Sequence, residues 1–129
     1  MSQENVELVR DVVGDLDAMV TVFDDEIVWD TRSHAPLDLE GVYHGPAAVI
    51  TLFKSWAGAW KEYSFEVEEM IDAGDSVVAM VRETGRGIGS GVPWEQHYYI
   101  VYRLRNRRIV GGGTYKTKAE ALEAAGLSE

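Results

Sequence analysis

Cysteine is absent from the sequence, which excludes disulfide bonds, thiolate nucleophiles and cysteine-ligated zinc. No apolar run approaches the roughly 20 residues that a membrane-spanning helix needs. The first residues are polar and lack the basic region and apolar core of a signal peptide. We therefore expect a cytoplasmic location and no membrane partner.

Positive charge is also scarce, with 12 Lys and Arg against 22 Asp and Glu and a net charge of −10. A field of that sign repels phosphate backbones and anionic lipid, so nucleic acid is not an expected partner. One basic cluster, residues 103–108, stands against this trend. It straddles a predicted hairpin turn at Asn106, and a solvated turn is the simpler interpretation.

The sequence has 129 residues and a hydrophobic content of 46%, which suits one globular domain with a real core. No internal repeat or linker divides it, so we expect a single domain over residues 1–129. Three histidines, His34, His44 and His97, lack a spacing that would bring two onto one helical face or strand. We expect neither a metal site nor a cofactor.

Helical signals dominate the first half. One helix is expected to end at Gly14, and Asp15 is a good N-cap for a second helix with Phe23 on its apolar face. Gly45-Pro46 predicts the start of a third helix, with proline at the first helical position. Its apolar stripe is expected to comprise Val49, Leu52, Phe53, Trp56 and Trp60.

Strand signals dominate the second half, after one short strand over residues 26–30 and a long loop over residues 31–44. Alternation of apolar and polar residues begins at Tyr63. Residues 77–81 are apolar on both faces, which predicts a strand covered on both sides. Two further strands are expected over residues 94–104 and 109–115. Thr117 and Glu120 form a capping box that predicts a closing helix, which Gly126 can end.

The resulting order is α-α-β-α-β-β-β-β-α. Strands in a run after helices predict an α+β fold, in which a curved, mostly antiparallel sheet has helices packed on one face.

This order resembles the SnoaL-like branch of the nuclear transport factor two-like superfamily. The resemblance rests on residues 14–17 before an apolar helix, Asp24-Asp25 before a strand, Gly45-Pro46 before another helix, and the closing residues 119–127. It implies a cone-shaped fold, in which a strongly bent sheet wraps around the third helix and leaves a pocket. It also implies a homodimer, which we expect to form through the outer face of the sheet. The superfamily includes ketosteroid isomerases, polyketide cyclases, epoxide hydrolases, dehydratases and non-catalytic binding modules, so function must be argued from the site.

Asp30 ends the first strand, and the resemblance aligns it with the proton-shuttling base of ketosteroid isomerases. A base desolvated by a neighbour such as Trp29 would have its pKa raised toward the working pH. The alternative is an aspartate that caps the following loop. Other acid–base positions of these relatives are not matched, because Ile100 stands where they have an acid or histidine and Thr114 where cyclases have an aspartate. The first helix also lacks the tyrosine that holds an enolate oxygen.

The fourth strand in chain order, expected over residues 94–104, has two faces, and one of them is expected to line the pocket; it carries Trp94, Gln96, Tyr98, Ile100 and Tyr102. Arg82 either anchors an anionic ligand there or pairs with a carboxylate such as Glu69. Glycines 111–113 either deepen the cavity or form a β-bulge.

Three functions are therefore open: a protein that binds a mostly hydrophobic small molecule, an isomerase or cyclase with Asp30 as general base and Tyr98 or His34 as donor, and a dimeric interaction module without ligand. The expected pocket residues are Trp29, Phe53, Trp56, Arg82, Gln96, Ile100, Tyr102, Gly112 and Thr114.

Overall fold

Four helices and six strands make up the part of the chain that the computed structural model describes, residues 2–36 and 38–127. The predicted domain of residues 1–129 also includes residues 1, 37, 128 and 129, which lie outside the described residues. In chain order the elements are α1 (Ser2–Val12), α2 (Leu16–Val20), β1 (Phe23–Asp30), β2 (Val42–His44), α3 (Pro46–Gly58), β3 (Trp60–Asp72), β4 (Ser76–Gly87), β5 (Pro93–Arg105), β6 (Arg108–Tyr115) and α4 (Lys118–Ala124).

The six strands form one curved, unclosed sheet in the order β2-β1-β6-β5-β4-β3. Every pairing is antiparallel except that of β1 with β6, which is parallel. The predicted α+β class with a mostly antiparallel, cone-shaped sheet is confirmed. Among the described residues, no helix is long and apolar enough to cross a membrane.

The core lies on both faces of the sheet. On the inner face, α1 and α3 pack against alternate residues of β4, Val77, Ala79 and Val81. On the outer face, α4 packs Ala121 and Leu122 over Val78 and Val101. The expectation that residues 77–81 are covered on both sides is confirmed, whereas the expectation that all helices share one face is wrong. It fails because α4 has its own apolar stripe and occupies the face that the other helices leave open.

Three local predictions also need correction. The segment Val42–His44 forms β2 rather than loop, because it pairs with the end of β1. Phe23 begins β1 instead of ending α2, which is capped at Thr21. Trp60 lies on β3 rather than α3, since α3 ends at Gly58 with Ala59 as its C-cap and Trp60 pairs with Gly87.

The predicted start of α3 and both predicted ends of α4 are confirmed. Gly45 is the N-cap of α3 and Pro46 follows at the first position. Thr117 and Glu120 form the predicted capping box of α4. Gly126 has a φ of 84°, and the Leu127 amide donates to the Leu122 carbonyl at 2.8 Å, so α4 ends in a Schellman motif. These caps fix the two ends of α4, and the packing of Ala121 and Leu122 places it on the outer face.

Candidate functional site

A cavity of about 360 Å³ lies between α3, the corner that joins α1 to α2, and the inner face of the sheet. Its lining is largely apolar and aromatic. The residues that line it are Gly14, Asp15, Leu16, Met19, Trp29, Phe53, Lys54, Trp56, Ala57, Tyr63, Phe65, Tyr98, Ile100, Tyr102 and Thr114. Seven of the residues expected from the sequence are therefore brought together here: Trp29, Phe53, Trp56, Tyr98, Ile100, Tyr102 and Thr114.

Trp29 is the centre of the wall formed by β1, β5 and β6. Its ring meets Phe53 edge to face at 5.3 Å between centroids and lies 5.6 Å from Tyr102. Trp29 is only 1% exposed, and its indole Nε1 has no hydrogen-bond partner among the described residues. Edge-to-face contacts of this kind fix ring orientations and stiffen the wall.

Gly112 lies beneath this wall, paired with Trp29 on one side and Tyr102 on the other. A Cβ there would overlap the Val101 carbonyl oxygen and come within 2.8 Å of Trp29 Cζ3. Glycines 111–113 follow a regular register, and the β-bulge lies just before them, where Arg103 and Leu104 pair with Gly111 and Ile109. Gly112 is therefore not part of the bulge, and the absence of its side chain does not enlarge the cavity. Instead, it permits the rings of Trp29 and Tyr102 to approach each other.

Glu83 is the polar centre of the inner face, although sequence reasoning did not select it. Its side chain is fully buried, with 0% exposure. Trp56 Nε1 donates to it at 2.9 Å, Gln96 Nε2 at 2.9 Å and the Tyr98 hydroxyl at 2.8 Å, while the Tyr63 hydroxyl donates to Oε2 as well. Trp56, Tyr63 and Tyr98 also line the cavity, so Glu83 lies one hydrogen bond behind its wall.

Four elements supply this arrangement. Glu83 continues the inward row of β4 that starts at Val77, because residues two apart on a strand share a face. Its direct partner on β5 is Gln96, and Tyr98 follows on the same face. Tyr63 comes from β3 next to a bulge at which Glu62 has a φ of 53°, and bulges re-aim neighbouring side chains. A charged residue in the inward row of an otherwise apolar strand was the sequence signal that could have identified Glu83.

Burial and the nearby Glu83 carboxylate raise the pKa of Tyr63 and of Tyr98 well above the usual tyrosine range. Both hydroxyls therefore stay protonated at neutral pH and direct their protons at Glu83. Burial alone raises the pKa of Tyr102. Tyr63 and Tyr98 both line the cavity and direct their hydroxyl protons at Glu83, so a ligand that reaches these hydroxyls would meet hydrogen-bond acceptors with a carboxylate behind them.

His34 lies beside this cluster without lining the cavity. Its ring is 4.9 Å from that of Tyr98 and 6.0 Å from that of Trp56, measured between centroids. Its carbonyl oxygen accepts a hydrogen bond from the Thr114 hydroxyl, and its Nε2 has no partner among the described residues. Burial lowers the pKa of His34, so the ring is neutral at neutral pH.

Asp30 is not at the cavity, which corrects the expectation that it faces the pocket. Neighbouring residues on a strand point to opposite faces, and Trp29 takes the inner one. The Asp30 carboxylate is 32% exposed and accepts from Arg32 Nη2 at 2.8 Å and Arg32 Nε at 3.1 Å. These bonds lower the pKa of Asp30 below its ordinary value. That is the opposite of the shift a general base needs.

The Asp30→Asn variant is expected to remove a small, pH-dependent part of the stability. Because the pKa of Asp30 is lowered on folding, its stabilising effect is complete above the unfolded-state value and disappears as the pH falls through the folded-state value. The variant should unfold more easily than wild type near pH 6, by less than about 1 kcal/mol. The difference should shrink below about pH 4, as measured by urea unfolding at several pH values.

The matched control is Asp25→Asn, an exposed position on the same strand with no ion pair among the described residues. Its stability should follow the wild-type pH profile. A difference between Asp30→Asn and wild type that grows toward acid would contradict the assignment.

Two further expectations about the pocket are corrected by the geometry. Arg82 lies on the outer face, where it binds Glu66 at 3.0 Å and Glu95 at 3.1 Å, so it pairs with carboxylates other than Glu69 and does not reach the cavity. Gln96 faces inward but is held by Glu83 rather than lining the cavity. Within the described ranges, no group of three or more histidine, aspartate and glutamate side chains could hold a metal ion.

Comparisons with known proteins agree with this architecture. The sequence pattern of the SnoaL-like domain family matches residues 12–112. No curated protein matches the chain in sequence.

Three solved structures illustrate the likeness of fold. A nuclear transport factor two-like protein from Burkholderia thailandensis has 21% identity and a TM-score of 0.75, with 96% of this chain and 95% of that one covered. A protein from Jannaschia described as a putative SnoaL-like polyketide cyclase has 17% identity and a TM-score of 0.73, with 95% and 91% covered. A protein of ketosteroid isomerase-like fold from Catenulispora acidiphila, solved in complex with trimethylamine, has 15% identity and a TM-score of 0.68, with 95% and 92% covered.

Proposed function

The chain belongs to the SnoaL-like domain family, and from that premise we propose that it binds a mostly hydrophobic small molecule in the cavity beneath α3. The observation that carries the proposal is the cavity itself, about 360 Å³ and walled by aromatic side chains. Sites for small molecules are typically concave, largely apolar spaces of about 300–1,000 Å³ with a few placed polar groups. Tyr63, Tyr98 and Thr114 supply such groups here.

Binding is favoured over the isomerase or cyclase alternative by the placement of charge. Enolisation requires a base at the substrate and donors aimed at the developing negative oxygen. Asp30 lies outside the cavity, and the Tyr63 and Tyr98 hydroxyls direct their protons at Glu83. An enolate beside these tyrosines would meet the Glu83 carboxylate, so the field at this end opposes the intermediate.

The interaction-module alternative, homodimerisation through the outer face and a cytoplasmic location stay predictions of the sequence. The outer face outside α4 carries ion pairs of Arg82 with Glu66 and Glu95. Such a surface is compatible with a dimer that leaves the cavity free for a ligand.

The neutral fluorescent probe N-phenyl-1-naphthylamine tests the proposal. Wild type is expected to bind it with one site per chain and to enhance its fluorescence, since the probe is apolar and small enough for the cavity. The Ala57→Trp variant places an indole at a half-buried position of the lining and should weaken binding by about tenfold or more. Fluorescence titration with calorimetry measures both.

Ala47→Trp is the matched control, because Ala47 lies on the same helix at an exposed position outside the lining. It should bind the probe as wild type does. Equal affinity in all three proteins would place the binding outside the cavity, and no binding to wild type would remove the proposal.

A further inference from the structure

We propose that the ligand is a cation, a small hydrophobic amine or quaternary ammonium, whose charge lies at the end of the cavity bounded by Trp56, Tyr63 and Tyr98. This inference rests on the proposed function, since it names the ligand class of the same cavity. It is carried by the position of Glu83 and by the aromatic character of the wall.

Glu83 has hydrogen-bond donors but no counter-charge. Its four donors are an indole, an amide and two phenols, all of them neutral. None of the ion pairs found among the described residues includes Glu83. Four donors suit the ionised carboxylate, which only accepts. A buried charge without an opposite charge is unfavourable, and a bound cation would supply the missing one.

The tyrosine hydroxyls extend the preference of Glu83 for a cation to the cavity. The Tyr63 and Tyr98 hydroxyls donate to Glu83, which leaves their remaining lone pairs for a ligand. A ligand group there is best served as a hydrogen-bond donor, as a protonated amine is, whereas a quaternary ammonium has no N–H and is attracted by the Glu83 charge and the ring faces alone. For a protonated amine, two consecutive hydrogen bonds would bring the nitrogen within roughly 6 Å of the carboxylate, in an interior where charges interact strongly.

Aromatic side chains form much of the cavity lining. Trp29, Phe53, Trp56 and Tyr102 line the cavity together with the two tyrosines already named. Faces of aromatic rings attract cations, and enclosed groups of aromatic rings are a known way to bind quaternary ammonium groups. An anion would meet both the ring faces and Glu83 unfavourably.

Charges elsewhere do not reverse this preference. The rim carries Asp15 and Lys54, both exposed and opposite in sign, so their fields are screened and partly cancel. The whole chain has a net charge of −10, which draws cations and repels anions. The apolar remainder of the lining requires that the rest of the ligand be hydrophobic.

The test is a series of three probes of similar shape and different charge: benzyltrimethylammonium, its neutral counterpart neopentylbenzene, and the anion phenylmethanesulfonate. Calorimetry on wild type should give the cation an affinity about tenfold or more above that of the neutral probe, with the anion weakest. The Glu83→Gln variant keeps the shape of the side chain without its charge and should lose the preference for the cation. Glu66→Gln makes the same change on the exposed outer face and should retain it.

The outcomes separate this inference from the proposed function. If neopentylbenzene binds wild type as tightly as the cation does, the inference fails while the small-molecule site stands. If neither these probes nor N-phenyl-1-naphthylamine binds wild type, both fail. A cation preference that persists in Glu83→Gln would overturn the role of Glu83.

A second measurement needs no variant and decides the matter should Glu83→Gln not fold. Nuclear Overhauser contacts from the N-methyl protons of bound benzyltrimethylammonium are expected to reach the rings of Tyr63 and Tyr98. Contacts confined to Leu16 and Lys54 at the rim would place the cation at the wrong end and overturn the inference.

Discussion

Glu83→Ala is expected to lower the free energy of unfolding by roughly 3–5 kcal/mol. Removing the carboxylate leaves the buried donors of Trp56 and Tyr98 and the half-buried donor of Gln96 without their acceptor, and each unsatisfied buried group costs about 1–3 kcal/mol. Loss of the buried charge itself offsets part of this. Urea unfolding at pH 7, followed by circular dichroism, measures the change.

Glu66→Ala is the control for this variant, since it removes an exposed carboxylate from the neighbouring strand. Its unfolding midpoint should match that of wild type within error. If Glu83→Ala proved as stable as wild type, the donors would have found other acceptors, and Glu83 would not organise the inner face as described.

Gly112→Ala is expected to destabilise the protein by about 3 kcal/mol or more, because a single methyl group has no room there. It would overlap the Val101 carbonyl oxygen, which belongs to the backbone of a central strand and cannot move freely. The φ of 151° at Gly112 adds strain for any residue with a Cβ. The same variant should alter the fluorescence of the folded state, since Trp29 must shift.

The paired control is Gly58→Ala at the end of α3, where a methyl group would meet no other atom within 4 Å. This change should leave stability unaltered or raise it by up to about 1 kcal/mol, since alanine loses less backbone entropy in a helix. Similar effects of the two substitutions would show that Gly112 is not a point of close approach.

Local signals in the sequence were sufficient for the elements whose ends they mark. Pro46, the box of Thr117 and Glu120, and Gly126 act through hydrogen bonds within a few residues, so they could be interpreted without knowledge of the rest of the fold. The end of α3, with Ala59 as its C-cap, has no such signal. Trp60 continues the helical spacing, and only its pairing with Gly87 in a distant strand places it on β3.

The candidate site was predictable in part. The alternation of β5 correctly grouped Tyr98, Ile100 and Tyr102 on the inner face. By the same rule of alternation, Trp29 and Asp30 lie on opposite faces of the sheet. The prediction that Asp30 faces the pocket followed instead from its alignment with a base in relatives. Similarity to a family therefore predicts the fold better than it predicts the role of an individual residue.

Glu83 was harder to identify for a different reason. Its inward position follows from the spacing of β4, yet its donors come from α3, β3 and β5. Such a cluster depends on tertiary packing and has no local pattern. A buried carboxylate is costly without partners, so a charged residue in an inward row is itself a reason to search for them.

The parallel pairing of β1 with β6 has a consequence for the order of folding. It joins Phe23 to Ile109 and Asp30 to Gly113, so one wall of the cavity closes only when nearly opposite ends of the described chain meet. Non-local contacts of this kind raise the contact order and slow the search for the native state. During synthesis, β1 can pair only with the short strand β2 until β6 has emerged, whereas the hairpins of β3 to β5 can form earlier.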